Sequence, residues 1–229
     1  MILYWVILGV FTLIGFLVSN RLKSKFENYS HIGIRSNLSG AEVAVKMLRH
    51  YGINDVRVEM GEGMLTDHYN PTNKTIALSP AVYSGRSIAS AAVAAHECGH
   101  AVQHAQSYSM LALRSNLVPV MQFSSKVQQF MFMGMMFGVG MGIGGNLLMM
   151  VLVITFGVTA LFSLVTLPVE FDASKRALVW LDESNVAAGQ EYEGAKDALW
   201  WAAMTYVAQA LGALVMFLYF LLSFLGNRD

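Results

Sequence analysis

The chain has 229 residues, of which 55% are hydrophobic and 13% are charged, and its mean hydropathy is +0.48. Soluble domains usually carry about 25% charged residues, so the composition excludes a disordered chain and favours an integral membrane protein with a modest polar part. Fifteen basic residues balance fifteen acidic ones, which argues against a nucleic-acid partner. The single cysteine, Cys98, excludes an internal disulfide.

Uncharged apolar runs predict four membrane-spanning helices. The first run, residues 2–18, is followed by basic residues at 21–25, which reverses the order in a secretory signal peptide and indicates an anchor. A second run of 42 uncharged residues, 127–168, is long enough for two helices of about 20 residues each, with a glycine-rich turn at 138–146 between them. The last run follows two tryptophans at 200–201, which are typical of the membrane interface.

The polar stretches between these runs predict a small α+β domain and a shorter helical segment. Ser39 and Glu42 form the capping box of a helix that ends at Tyr51–Gly52. The next predicted elements are a strand at 56–60, a hairpin with strands at 64–69 and 74–78, an alanine-rich helix at 87–106 and an amphipathic helix at 107–126. In the shorter segment, helices are predicted at 170–181 and from residue 191 onward. The predicted organisation is an anchor at 1–19, an α+β domain at 20–126, two membrane helices at 127–168, a helical segment at 169–200 and a membrane helix at 201–229.

Basic residues set the expected orientation. They cluster at 21–25, beside the first apolar run, and at 175–176, beside the third, whereas the predicted turn at 138–146 has no charge. Because basic residues near membrane helices favour the cytoplasmic side, the stretches 20–115 and 169–200 are expected in the cytoplasm and both chain ends outside. The expected location is the cell membrane, crossed several times.

The sequence His96-Glu97-Cys98-Gly99-His100 places the pattern H-E-x-x-H inside the alanine-rich helix. Residues four apart share one helix face, so His96 and His100 can present imidazole nitrogens to one zinc ion. Glu97 lies beside that face, where it can take a proton from a water whose pKa the metal lowers to about 7. The alternative is a pair of surface histidines, but burying such groups unpaired among alanines would cost several kcal/mol.

A zinc peptidase needs a third ligand, and the sequence offers few candidates. Gln103 and Gln106 stand where a metzincin would have glycine and histidine, and His104 is about 12 Å along the helix from His96, too far to share its ion. Glu170 begins the predicted helix after the third apolar run, on the same side of the membrane, and would complete a two-histidine, one-glutamate set. The alternative is a helix-start glutamate favoured by the helix dipole.

Four sequence blocks carry a resemblance that covers essentially the whole chain. They are L-T-D-H-Y-N-P at 65–71, H-E-C-G-H-A-x-Q at 96–103, V-E-F-D-A-S at 169–174 and A-A-M-T-Y-V-A at 202–208. In their order and spacing the chain resembles the YugP-like neutral zinc metallopeptidases of bacterial membranes. The resemblance implies a gluzincin-like peptidase with His96, His100 and Glu170 as zinc ligands and Glu97 as the base.

A more distant similarity, to the CAAX prenyl protease and heat-shock membrane peptidases, is incomplete. Their third-ligand helix reads E-x-x-A-D, and this chain has Ser174 in place of that aspartate. The role of the aspartate therefore does not transfer directly. Asp172 and Asp67 are both candidates to orient a ligand histidine, and the sequence does not choose between them.

Two further residues are candidates for stabilising the oxyanion of peptide hydrolysis. His68 lies in the predicted strand at 65–69, whose edge could bind an extended peptide by strand addition; alternatively it is a hairpin histidine with a local hydrogen bond. Tyr206 could offer its phenol to the same oxyanion; alternatively it is an interfacial tyrosine. Cys98 is expected to pack away from the metal, because its position points to another helix face.

These observations predict a mainly α membrane protein with about four transmembrane helices and a cytoplasmic zincin-like α+β domain that carries a small β-hairpin. The expected function is a membrane-embedded zinc metallopeptidase that hydrolyses a membrane-associated polypeptide by a zinc-activated water, with Glu97 as general base. One alternative is a non-catalytic membrane scaffold or chaperone that retains zinc, which would need four closed ligands and no base. Another is an intramembrane protease of the site-two type, which the polar residues in 86–106 disfavour.

Overall fold

The computed structural model describes residues 2–63, 66–136 and 145–226, and this part of the chain is mainly helical with three short strands. The elements in chain order are α1 (Ile2–Ser30), α2 (Gly40–His50), β1 (Arg57–Met60), β2 (His68–Asn70), β3 (Thr75–Leu78), α3 (Pro80–Ser84), α4 (Ile88–Ala105), α5 (Ser109–Met136), α6 (Gly145–Glu183) and α7 (Gln190–Gly226). The predicted fold class, mainly α with a small β element, is confirmed.

The strands form one sheet in the order β1-β3-β2. β2 and β3 are antiparallel, with Tyr69 opposite Ile76, as the predicted hairpin requires within the described residues; residues 64 and 65 lie outside them. β1 pairs with β3 in parallel, with Val58 opposite Ile76. Ile76 and Leu78 are fully buried, which makes β3 the strand that anchors the sheet in the core.

The chain divides into two compact units. An apolar unit contains Met1–Leu17, Ala112–Leu167 and Thr205–Asp229, and a polar unit contains Val18–Leu111 and Pro168–Met204. The predicted boundary between residues 126 and 127 falls inside α5, which continues through it without a break.

The core of the polar unit is built from α2, α4, the sheet and the parts of α6 and α7 that belong to this unit. Its largest fully buried side chains include Trp180, Met47 and Leu181. The predicted capping box at the start of α2 is present: the Ser39 hydroxyl accepts a hydrogen bond from the Glu42 backbone N–H at 3.3 Å, and the Ser39 N–H donates to the Glu42 carboxylate at 2.7 Å. This cap fixes the first turn of the helix that packs against α4.

The apolar unit is held together by aromatic side chains. Tyr4 stacks on Phe132 with a ring separation of 5.6 Å, and Phe156 stacks on Phe220 at 4.8 Å. Among the described residues, three helices are long and apolar enough to cross a membrane: α1, α6 from Leu147, and α7. The span predicted to begin at residue 127 coincides with the end of α5, and most of the glycine-rich turn that follows lies outside the described residues. A total of four spans therefore stays a prediction.

The expected helix start near residue 170 is wrong. The apolar run ends at residue 168 and a separate helix was expected to begin after it, but α6 runs unbroken from Gly145 to Glu183. A proline inside a helix costs about 3 kcal/mol, and the buried side chains on both sides of it, Val165, Val169 and Ala173, hold the helix together. Glu170 therefore lies in mid-helix, and the alternative of a glutamate favoured at a helix start is excluded.

Candidate metal centre

The two histidines of the motif are positioned by α4. The Ser87 hydroxyl caps the helix by accepting from the Ser90 N–H at 3.2 Å, and the next two turns are alanines that are fully buried at 91, 92, 94 and 95. Such small side chains let neighbouring helices approach α4 closely. His96 is half-buried and His100 is 8% exposed, with their rings 4.8 Å apart, so both imidazoles leave the same face of the helix.

Glu170 on α6 meets both histidines. Its Oε2 atom lies 3.4 Å from His96 Nε2 and 3.7 Å from His100 Nε2. The three ligand atoms lie within 4.8 Å of one another and could hold a metal ion. The predicted third ligand is thus brought to the two histidines, although 70 residues separate it from His100.

Gly99 makes this approach possible. A Cβ atom at position 99 would lie 2.5 Å from the carbonyl oxygen of Ala173 and 3.1 Å from its Cα, well inside van der Waals contact. The α4 backbone therefore packs directly on the α6 backbone one turn after Glu170. The glycine inside the motif is needed for helix packing, and that packing delivers the third ligand.

Replacing Gly99 with alanine is expected to push α4 away from α6. Overpacking of this kind costs about 1–3 kcal/mol, and it would move Glu170 away from both imidazoles. We expect a lower melting temperature and at least a tenfold loss of zinc affinity, measured by competition with a chromophoric chelator. Gly134→Ala is the matched control, because a Cβ there meets nothing within 4 Å. Unchanged zinc affinity in Gly99→Ala would show that the close approach is not needed.

The remaining ring nitrogen of each histidine has a polar partner. His96 Nδ1 lies 3.1 Å from the Ser174 hydroxyl, and His100 Nδ1 lies 3.0 Å from Gln103 Oε1. With Nδ1 engaged in this way, Nε2 of each ring is directed toward Glu170. Ser174, the residue at which the chain departs from the E-x-x-A-D pattern, thus contacts His96.

The two aspartates left open by the sequence have different partners. Asp67 accepts hydrogen bonds from the backbone N–H and the hydroxyl of Ser79, so it ties β2 to the start of α3. Asp172 accepts from the Gln103 side chain at 2.8 Å. Asp172 therefore contacts Gln103, whose amide oxygen is near His100, whereas Asp67 contacts Ser79.

The electrostatics of the cluster suit a cation. Glu170 is 1% exposed, and a buried carboxylate is costly unless a positive charge accompanies it. Burial lowers the pKa of His100, but the Glu170 carboxylate, the charge of Glu97 and the Gln103 side chain together outweigh burial and raise this pKa above its ordinary value. Ligand atoms of a tetrahedral zinc site lie roughly 3.3 Å apart when each is about 2.0–2.1 Å from the metal, close to the 3.4 and 3.7 Å between Glu170 and the two histidine nitrogens. The donor set therefore fits zinc.

Glu97 is buried beside the ligands, with 8% of its surface exposed, and its negative charge also contributes to raising the pKa of His100. The adjacent Cys98 lies on another face: it is fully buried, and its Sγ donates to the Ala44 carbonyl in α2 at 3.5 Å. Burial raises the pKa of the Cys98 thiol well above its ordinary value. Cys98 thus has the packing position expected from the sequence.

Among the described residues, the metal-type cluster of His96, His100 and Glu170 includes neither His68 nor His104. His68 is exposed on β2, and its Nδ1 is 2.7 Å from the Thr66 carbonyl, the local hydrogen bond foreseen as its alternative. His104 Nδ1 is 2.7 Å from the Tyr69 hydroxyl. Tyr206 lies on α7 in the residues assigned to the apolar unit.

The contacts of Gln103 were not predicted from the sequence, where this residue served only to exclude a metzincin. Its side chain is fully buried and contacts His100. The available signal was a large polar residue one turn after a ligand histidine in a helix of alanines. Such a residue must find buried partners.

Comparison with known proteins agrees with this geometry. The family described as "putative neutral zinc metallopeptidase" matches residues 4–225. A protein of Bacillus subtilis (strain 168) named "putative membrane protease YugP" is 42% identical over 216 residues, which cover 94% of each chain. No solved structure matches the chain. With nearly its whole length covered by the family and zinc-type ligands meeting in its polar unit, the chain belongs to this family of neutral zinc metallopeptidases.

Proposed function

We propose that the protein is a membrane-bound zinc metallopeptidase that hydrolyses peptide bonds. The observation that carries the proposal is the convergence of His96, His100 and Glu170 from two helices, with Glu97 buried next to them. Two histidines and a glutamate leave a fourth position open, as in catalytic zinc sites, whereas structural sites are closed by four protein ligands. This difference favours a peptidase over a zinc-containing scaffold.

His96, His100 and Glu170 are the residues that would hold the metal. A zinc ion held by these residues would supply Lewis-acid chemistry, namely polarisation of a carbonyl group and a lowered pKa of water. The Ser174 hydroxyl and the Gln103 amide hold the two rings with Nε2 toward Glu170. The protein therefore fixes the ligand geometry before substrate arrives.

Glu97 is the general base of this proposal. Its carboxylate takes a proton from the attacking water as the oxygen adds to the scissile carbonyl. The same group, now protonated, gives that proton to the leaving amine nitrogen, so the carboxylate is restored at the end of the cycle. Positioned proton transfer of this kind contributes about 10²–10⁴-fold to rate.

A polypeptide substrate would lie along β2. This strand is hydrogen-bonded to β3 on one side, which leaves its other side available for strand addition within the described part of the sheet. Tyr69 of β2 contacts His104 of α4, so the strand lies against the helix that carries the motif. His68 and Tyr206 remain the proposed donors to the oxyanion. Loss of the His68 imidazole or of the Tyr206 hydroxyl should lower kcat more than it changes KM.

Chelation tests the proposed activity. Protein purified in mild detergent should cleave casein, lose this activity when treated with 1,10-phenanthroline, and regain it when zinc is restored. Magnesium added in place of zinc should not restore cleavage, because magnesium prefers oxygen ligands. Activity that survives complete metal removal would contradict a zinc peptidase.

The same proposal includes a topology of four spans, with the polar unit in the cytoplasm. Its support is the basic clusters at 21–25 and 175–176 beside apolar runs. Single cysteines at the exposed positions Asn28 and Asp182, placed in a Cys98→Ala background, should resist an impermeant thiol reagent in intact cells. A cysteine at position 146 should react. The opposite labelling pattern would show that the polar unit faces the outside of the cell and would contradict the proposed orientation.

A further inference from the structure

Gln103 is a buried polar residue that joins the two ligand-bearing helices. It is fully buried and lies three residues after His100 on α4. Its Oε1 is 3.0 Å from His100 Nδ1, and its Nε2 is 2.8 Å from both the Val169 carbonyl and Asp172 Oδ2 on α6. All polar atoms of the side chain are therefore engaged.

These contacts determine which way the amide points. A carbonyl oxygen and a carboxylate oxygen only accept hydrogen bonds, so the two α6 partners require the NH₂ group of Gln103. The amide oxygen is then left for His100, whose Nδ1 must carry the proton. In this tautomer the lone pair of His100 lies on Nε2, the atom directed at Glu170.

Arg176 stabilises the contact between Asp172 and Gln103. Its Nε donates to Asp172 Oδ2 at 2.5 Å, and its Nη1 donates to Gln106 Oε1 at 2.5 Å. Arg176 compensates the charge of Asp172 and ties this carboxylate to the end of α4. Asp172 is thereby held in place as the acceptor that orients the Gln103 amide.

The other ligand histidine has a less selective partner. Ser174 contacts His96 Nδ1 through a hydroxyl, which can donate or accept and rotates to suit either tautomer. The two ligands are therefore held unequally: His100 is fixed in one tautomer by an amide of defined orientation, and His96 is held in position by a group that accepts both.

The geometry points to Gln103 as the positioning residue that fixes the tautomer of His100 for metal binding, with Asp172 acting through Gln103. This inference rests on the proposed function, because it assigns His100 as a zinc ligand. It predicts a larger effect at Gln103 than at Ser174, although both residues contact a ligand histidine. It also predicts that Asp172 matters for zinc only while Gln103 is present.

Zinc affinity of four purified full-length variants tests the ranking. Loss of a partner that orients a ligand histidine typically weakens metal binding about 10–100-fold, and Gln103→Leu, which keeps bulk but loses all three hydrogen bonds, should fall in that range. Ser174→Ala should lose less than tenfold. Asp172→Asn should weaken binding measurably, since an amide at 172 can present either donor or acceptor to Gln103, and Asp182→Asn is the exposed control on the same helix.

The double variant separates positioning from a general effect on the fold. If Asp172 acts through Gln103, adding Asp172→Asn to Gln103→Leu should cause no further loss of zinc affinity. Additive losses, or Gln103→Leu binding zinc as tightly as the unmodified protein, would overturn the inference while leaving the zinc site intact. An unmodified protein that binds no zinc would instead contradict the proposed function.

Replacing zinc with cobalt gives an absorption spectrum that reports the geometry of the ligands and not the stability of the fold. The visible absorption of bound Co²⁺ depends on its ligand geometry, and it should change in Asp172→Asn and stay unchanged in Asp182→Asn. This comparison decides the question even if Gln103→Leu does not fold. Identical spectra for the two aspartate variants would exclude a role of Asp172 in positioning His100.

Discussion

Peptide cleavage by Glu97→Gln is expected to fall by about 10²–10⁴-fold, the contribution of a positioned general base, with zinc content unchanged. The amide has nearly the shape of the carboxylate, so the buried side chain still fits, but it cannot accept a proton from water. The fall should appear in kcat rather than KM, since proton transfer occurs only in the transition state. Casein cleavage and elemental analysis of the same preparation measure both quantities.

Glu193→Gln is the matched control, because Glu193 is an exposed glutamate of the polar unit outside the ligand cluster. It should retain full activity. Glu97→Gln that cleaves as fast as the unmodified protein would contradict the hydrolytic mechanism, whereas loss of zinc in this variant would mean that Glu97 supports the metal site instead.

Glu170→Gln is expected to weaken zinc binding severely and to lose activity at ordinary zinc concentrations. An amide in place of the carboxylate removes one negative charge from the ligands of a dication. It also removes the negative charge that lies beside His100 and stabilises a cation there. Activity should recover in part when zinc is added in excess. Titration of zinc against activity gives the apparent affinity of each variant.

Asp172→Asn serves as a comparison two residues away on α6, and it should bind zinc more tightly than Glu170→Gln. If Glu170→Gln retains the affinity of the unmodified protein, another group provides the third ligand. His68 would then be tested first, although its side chain is exposed and hydrogen-bonded locally.

The local elements could be predicted because their signals lie within a few residues. The capping box of α2, the hairpin of β2 and β3, and the helix that carries His96 and His100 each depend on neighbours in sequence. The two histidines fall on one face because a helix repeats every 3.6 residues. For this reason the motif specified most of the candidate site before the structure was known.

The longer-range features were not accessible in the same way. The parallel pairing of β1 with β3 joins strands that are separated in sequence by β2 and its flanking loops, and no local pattern encodes it. The end of the apolar run at residue 168 suggested a helix boundary, but α6 continues through it to Glu183. The contact between Gly99 and Ala173 depends on how two distant segments pack. The sequence therefore suggested Glu170 as a ligand but did not show which helix contact places it beside the histidines.

The polar support of the ligands illustrates the same limit. Asp172 and Asp67 were equivalent as sequence candidates, and only packing separates them: one reaches Gln103, and the other holds Ser79. Ser174 contacts His96 with a hydroxyl, a contact that the sequence did not indicate. Side chains that orient a ligand are chosen by three-dimensional neighbours, and their residue types vary more than the ligands do.

The zinc content and zinc coordination of the purified protein test the central claim most directly. X-ray absorption at the zinc edge, combined with elemental analysis, should give one zinc per chain, with nitrogen and oxygen ligands at about 2.0–2.1 Å and the scattering of two imidazole rings. His100→Ala should lose the metal. Gently purified protein that contains no zinc, or zinc bound by sulfur at about 2.3 Å, would contradict a site formed by His96, His100 and Glu170.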